Sequence, residues 1–365
     1  MKGEEFWRGV VSGERRGVVG SLLLLFLKGL SLPYALLLRL RSWGYASGLL
    51  RSRRLNYPVI SVGNLAVGGT GKTPMAELIA RYLLSRGVRV VLLSRGYGGS
   101  YSGSSSIVSD GKSIFMTATE AGDEPYLLAR ELPGLMVVVG RDRHMAGLLA
   151  QRELHPDCFL LDDGFQHLRV QRELNILLLD CRSPLGNGWT LPAGPLREPL
   201  SAMGRADLIV LTRCEAGGAV SDVGPAGIPV LSAMHKLSGV VPLDGGPCLS
   251  FSTLYGERVM AFAGIAQPER FFSALTEAGL NLAGILSLPD HALYDDRTIA
   301  GIVRIFRSTG ATCLVTTGKD AVKLEPRRRQ LGRVWVAKLE IVLENSTLLM
   351  SMVDEVTARK VQTGE

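Results

Sequence analysis

The chain is poor in aromatic side chains, at 6% of 365 residues, and its five cysteines, Cys158, Cys181, Cys214, Cys248 and Cys313, stand far apart. None falls in a CxxC or Cys/His ligand spacing, which argues against a zinc module or a disulfide framework and points to a reducing, cytoplasmic compartment. No aromatic-rich basic strand is present, so nucleic acid is not an expected partner. No apolar run reaches the roughly 20 residues that a spanning helix requires. A small-residue cleavage site ahead of Pro58, which a signal peptide would need, is also missing, and no internal repeat is visible.

What is present is an apolar, basic chain: 46% hydrophobic, 21% charged and +7 in net charge, with mean hydropathy +0.20 and a pI near 9.3. Such a composition excludes a disordered or collagen-like chain and asks for anionic partners. Two apolar runs, residues 18–27 and 30–38, are separated by Lys28 and Gly29, with Pro33 inside the second; Arg39, Arg41, Arg51, Arg53 and Arg54 follow. Apolar side chains at an acyl boundary with guanidinium groups against anionic headgroups would make an interfacial membrane anchor. A buried helix pair and a true span are the competing readings.

From Pro58 onward apolar strands alternate with helical stretches, which is the succession of βαβ units and predicts a parallel sheet. The expected architecture is α/β: a P-loop NTPase-like parallel-sheet domain, a second, smaller α/β domain, and N-terminal membrane-associated helices. The boundaries read as 1–54 for the membrane-associated segment, 55–238 for the P-loop kinase domain, 239–258 for a Gly/Pro/Ser-rich linker and 259–365 for the smaller domain. Two domains imply a cleft between them.

The strand at residues 59–62 runs into GNLAVGGTGKTP (63–74) and then a helix, the context that a phosphate-binding loop needs. In such a loop the backbone N–H groups of residues Ala66, Val67, Gly68, Gly69, Thr70 and Gly71 close around phosphate oxygens. Lys72 reaches the β- and γ-phosphates of ATP, and the Thr73 hydroxyl ligates Mg²⁺. Ala66 replaces the first glycine of the usual pattern. A second apolar strand ends in Asp162-Asp163-Gly164, the arrangement of a magnesium-side acidic motif, with Asp162 the preferred ligand. Its bland counterpart is a pair of carboxylates capping a turn. SRGYGG (94–99) lacks the helix and the spacing of a dinucleotide fingerprint and reads as a loop near substrate. From local sequence alone Asp123, in AGDEP (121–125), would be a helix N-cap.

Together these motifs, with DDGFQH (162–167), GNGWTLPAGPLRE (186–198), AFAGIAQPERFF (261–272), PDH (289–291) and TTGKDAVKL (316–324), resemble the tetraacyldisaccharide 4′-kinase family over most of the chain. The resemblance implies transfer of the ATP γ-phosphate to the 4′-hydroxyl of a glycolipid, tetraacyldisaccharide 1-phosphate, in lipid A biosynthesis. It places the reaction at the cytoplasmic face of the inner membrane. It also implies that Asp123 and His291 act as a dyad on the sugar hydroxyl and that Asp162 and Glu198 assist Mg²⁺. Asp163 would support the base, and Tyr97, Arg143, Gln166, His167 and Arg197 would line the substrate or phosphate region. With Asp123 and His291 in different expected domains, domain closure on substrate would assemble the dyad. Gly318 stands where the family usually has an acidic residue, which puts a local ion pair there in doubt.

Two other classes remain to be weighed. A membrane-recruited ATPase switch carries a second lysine before GGxGKT, but Val67 holds that place. A GTPase reading rests on LTRCE (211–215), in which Arg213 and Glu215 would replace the lysine and aspartate that read guanine.

Overall fold

The computed structural model describes residues 2–11, 17–215, 223–290 and 292–358. A short helix α1 (Lys2–Val11) precedes α2 (Val18–Ala46). The two apolar runs of the sequence are thus one helix of 29 residues, continuous through Lys28, Gly29 and Pro33. Pro33 cannot donate to the carbonyl of Gly29 one turn earlier, and a residue without a side chain leaves room around that unmade bond. By length and composition α2 is apolar enough to cross a membrane, with a mean hydropathy of 1.9 over 18 residues and 6% of that window buried.

The first half of the remaining chain winds β1 (Val59–Asn64), α3 (Lys72–Ser85), β2 (Val90–Ser94), β3 (Ser105–Asp110), the short α4 (Ala118–Ala121) and α5 (Asp123–Glu131). There follow β4 (Met136–Gly140), α6 (Arg143–Leu154), β5 (Cys158–Asp162), β6 (Leu174–Asp180) and β7 (Leu208–Thr212). The second half holds β8 (Val230–Pro242), β9 (Arg258–Ala263), α7 (Pro268–Glu277), β10 (Asn281–Ser287), α8 (Asp296–Thr309) and β11 (Cys313–Thr317). It closes with α9 (Gly318–Leu324), α10 (Arg328–Leu331), β12 (Val334–Leu343) and α11 (Ser346–Ala358).

All strands join one sheet in the order β10-β9-β11-β12-β8-β7-β6-β1-β5-β2-β4-β3. Most neighbours run parallel; β3 on β4 and β8 on β12 are the antiparallel pairs among the described residues. The central strands β1, β2, β4, β5 and β7 are buried along their whole length. Their near-continuous apolar sequences suit a sheet covered on both faces. One face packs on α3, α5 and α11 through Met75, Ile79, Leu83, Leu128 and Val353, the other on α6 through Ala146 and Ala150.

β8 continues through the boundary expected at residue 238: its first residues pair with β7 and its length pairs with β12, so it is shared by both halves. Between β6 and β5, strand β1 lies where the chain's winding changes direction. Ligands of open α/β sheets bind at the carboxyl ends of the strands at such a point.

Candidate active site

The loop leaving β1 is built for close backbone approach. Gly68 and Gly71 have φ of 116° and 85°, and a Cβ on Gly71 would lie 2.4 Å from Nε2 of His235 on β8. Gly71 caps α3, so Lys72 and Thr73 open that helix and its N–H groups face the loop. A short antiparallel contact of residues 65–67 with 195–197 ties the loop to the GNGWTLPAGPLRE segment: Val67 N donates to Pro195 O (2.8 Å) and Arg197 N to Leu65 O (2.6 Å). That pairing delivers Arg197 to Asp163, whose oxygens accept from its guanidinium at 2.9 and 3.1 Å.

Beside β1, β5 brings Asp162 into register with Val62. Asp162 is 3% exposed and its Oδ1 has no hydrogen-bond partner. Burial, reinforced by the charges of Glu124 and Asp163, pushes its carboxyl up to about 7. Asp163 behaves oppositely: burial works against its charge, but Lys72 (Nζ to Oδ1, 3.6 Å) and Arg197 outweigh it and hold the carboxyl below the usual range. The turn after it is braced by Arg172, which donates to the carbonyls of Gly164 and Phe165 at 3.0 and 3.1 Å.

Gln166 donates from Nε2 to Asn64 O at 2.6 Å, joining the two loops. Arg143, 4% exposed, donates from Nη1 to Gly140 O while its Nε has no partner. Its backbone N–H donates to His167 Nε2 at 3.3 Å, and burial first, then Arg143, lowers the His167 imidazole to about 4. Tyr97 is 74% exposed in the turn after β2. That turn packs its backbone against the GDEP segment, where a Cβ on Gly122 would lie 2.7 Å from Tyr97 O.

Asp123 is the first residue of α5, with Gly122 as cap; the N-cap reading from local sequence therefore fails, because the chain turns through Gly122 at φ 93°. Its Oδ2 lies 2.7 Å from Lys323 Nζ on α9. The next residue, Glu124, to which the sequence motifs assign no role, pairs with Lys319. Burial disfavours the charge of Glu124, but Lys319 and then Lys72 override that and lower its pKa. A cue for Lys319 and Lys323 was their spacing of four, which places both on one face of a helix. His291 lies outside the described residues.

The donors at this site are hard oxygens that suit a small divalent cation, and the partnerless Oδ1 of Asp162 beside the start of α3 fits one. Glu198, 2% exposed, is engaged by Arg205 Nη2 at 2.5 Å. Among the described residues no group of three or more His, Cys, Asp or Glu side chains is close enough to hold a metal by itself. A cation here would therefore need oxygens from Thr73 and from phosphate.

The family model of tetraacyldisaccharide-1-P 4′-kinase matches residues 23–358. A curated tetraacyldisaccharide 4′-kinase of Geobacter metallireducens is 54% identical over 335 residues, 92% of this chain and 98% of that one. One of Pelobacter propionicus is 54% identical over 93% of this chain and 94% of its own. The crystal structure of LpxK from Aquifex aeolicus in complex with ATP superimposes with a TM-score of 0.80 at 35% identity, covering 92% of this chain and 99% of that one. A phosphate loop facing an acidic pair is common to many nucleotide enzymes, but agreement over nine-tenths of the length, from within α2 to the end of α11, places this chain in the tetraacyldisaccharide-1-P 4′-kinase family.

Proposed function

We propose that the protein transfers the γ-phosphate of ATP to the 4′-hydroxyl of tetraacyldisaccharide 1-phosphate, giving the 1,4′-bisphosphorylated lipid A precursor and ADP. The observation that carries this reading is the phosphate loop with Lys72 beside the Asp162–Asp163 pair, set within the field of Glu124 and next to Asp123 on α5. The loop holds the β- and γ-phosphates by backbone N–H groups and Lys72. Asp162 and Thr73 would hold Mg²⁺, which would supply positive charge to neutralise the phosphates. Glu198, paired with Arg205, is proposed to assist that cation.

Asp123 accepts the proton of the 4′-hydroxyl as its oxygen bonds to the γ-phosphorus and the bond to the β–γ bridging oxygen breaks. His291, the residue immediately before Ala292, whose carbonyl accepts from Lys323 Nζ, is its proposed companion. Asp163 keeps Lys72 and Arg197 in place. Tyr97, Arg143, Gln166 and His167 line the sugar and phosphate side.

The glycolipid is met at a membrane surface. α2 presents Leu22, Leu25, Phe26, Leu32, Leu36, Leu37, Leu40 and Trp43 to the outside. Its other face docks on the active-site segment: Ser31 Oγ donates to Thr190 O at 2.9 Å, and Arg41 Nη2 to Gln166 O at 3.1 Å. That placement supports attachment at a membrane surface with the site at the interface; the membrane proposed is the inner one, met from its cytoplasmic face.

The test is transfer of labelled γ-phosphate from ATP to purified tetraacyldisaccharide 1-phosphate in detergent micelles. Wild type is expected to transfer, Lys72→Ala to lose transfer, and Asp123→Ala to lower kcat on the order of 10²–10⁴-fold. A wild-type protein that binds ATP but transfers nothing would sink the reading.

A further inference from the structure

Helix α9 belongs to the second half of the chain, yet its lysines end on the first half's carboxylates. Its first turn is fixed by a buried carboxylate: Asp320, 1% exposed, accepts from Gly264 N (3.1 Å), Tyr294 Oη (2.7 Å) and Thr317 Oγ1 (2.7 Å). These bonds anchor α9 to the end of β9 and to the segment that follows residue 291. From this fixed turn Lys319 and Lys323 project four residues apart on one face, a like-charge spacing that destabilises a helix unless each cation has its own anion. Each does: Lys319 pairs with Glu124, and Lys323 Nζ lies 2.7 Å from Asp123 Oδ2 with both side chains under 20% exposed. Lys323 Nζ also reaches the carbonyl of Ala292 at 3.5 Å, so one ammonium touches both α5 and the segment next to residue 291.

We infer that Lys323 is a positioning residue of the phosphoryl transfer: it fixes the carboxylate of Asp123 relative to Ala292, while Lys319 holds the neighbouring Glu124 in the same way. This rests on the role given to Asp123 above. A base misplaced by about 1 Å can cost on the order of 10²-fold in rate. An ion pair from a rigidly anchored helix removes that freedom without touching substrate.

The experiment measures kcat and both KM values for Lys323→Met, which keeps the aliphatic stem, and for Lys323→Arg, which restores the cation. It then repeats Lys323→Met in an Asp123→Asn background. The expected result is a kcat lowered on the order of 10²-fold in Lys323→Met with little change in either KM. Lys323→Arg should recover at least part of it, and the double variant should be no slower than Asp123→Asn alone, since a residue acting through another is not additive with it. Three results would overturn the inference: an unchanged kcat, a loss confined to KM, or costs that multiply in the double variant. A wild-type protein without transfer would overturn the functional reading itself, and is told apart because no variant is then needed.

Discussion

At the residue scale, His235 shows how the phosphate loop is backed. Its Nε2 is buried without a hydrogen-bond partner and faces the Cα of Gly71. Burial, followed by the charge of Arg213, lowers its imidazole from 6.5 to about 4, and His167 is lowered to about 4 by the same two kinds of cause. A depressed folded pKa means that between pH 6.5 and 4 the unfolded chain binds protons which the folded one refuses, so stability falls as the pH drops through that window. These two histidines are therefore expected to withdraw stability on acidification from pH 6.5 to 4, each by at most on the order of 2–3 kcal/mol, while Asp162, pushed up to about 7, acts in the opposite direction over the same window. Denaturant midpoints across this range should show a shallower slope for His235→Gln than for wild type; an identical slope would remove His235 from the account.

At the scale of elements, α9 carries its function on a short frame of seven residues capped by Thr317. Gly318 opens it with no positive φ, and a Cβ there would sit 3.4 Å from the Leu127 side chain, an ordinary contact. Where the native φ suits it, replacing glycine by alanine stabilises by about 0.4–1 kcal/mol, chiefly by restricting the unfolded chain. Gly318→Ala should then raise the melting temperature slightly and leave kcat unchanged; a lower melting temperature would show that α9 and α5 are closer packed than described. The acidic residue usual at this position would meet Glu131, 3.7 Å from the same point, whose other oxygen is engaged by Lys338 at 2.5 Å. The local ion pair doubted from the sequence thus has a different form here, Glu131 with Lys338 on β12.

At the scale of the whole molecule, one face of α2 is held by hydrogen bonds to residues 166–197 and the other is apolar and exposed. Burying a leucine side chain contributes about 1.5–3 kcal/mol, so several on one face suffice for membrane binding without a span. Vesicles containing anionic lipid should float with the wild-type protein, and Leu25→Glu with Leu36→Glu should weaken flotation while ATP binding persists. Unchanged flotation in the double variant would mean that another surface makes the contact. Higher salt should weaken binding in part, because Arg39, Arg51 and Arg54 add a screened attraction to the headgroups.

Much of the site was legible in the sequence because its parts are local. A strand, a glycine-rich turn and a helix fix the backbone around Gly68 to Thr73, and a strand ending in Asp162-Asp163 needs only its own residues to present two carboxylates. The apolar, basic character of the first 54 residues is likewise a matter of composition. What tertiary structure decided are the meetings of distant segments: Arg197 with Asp163, Lys319 with Glu124 across 195 residues, Lys323 with Asp123, and the docking of Ser31 on Thr190. It also made β8 a strand common to both halves, where composition around residue 239 suggested a linker. The reason is physical: a turn or a helix is set by neighbours along the chain, whereas the partner of a charge or of a sheet edge is set by strand order and register, which no local pattern encodes.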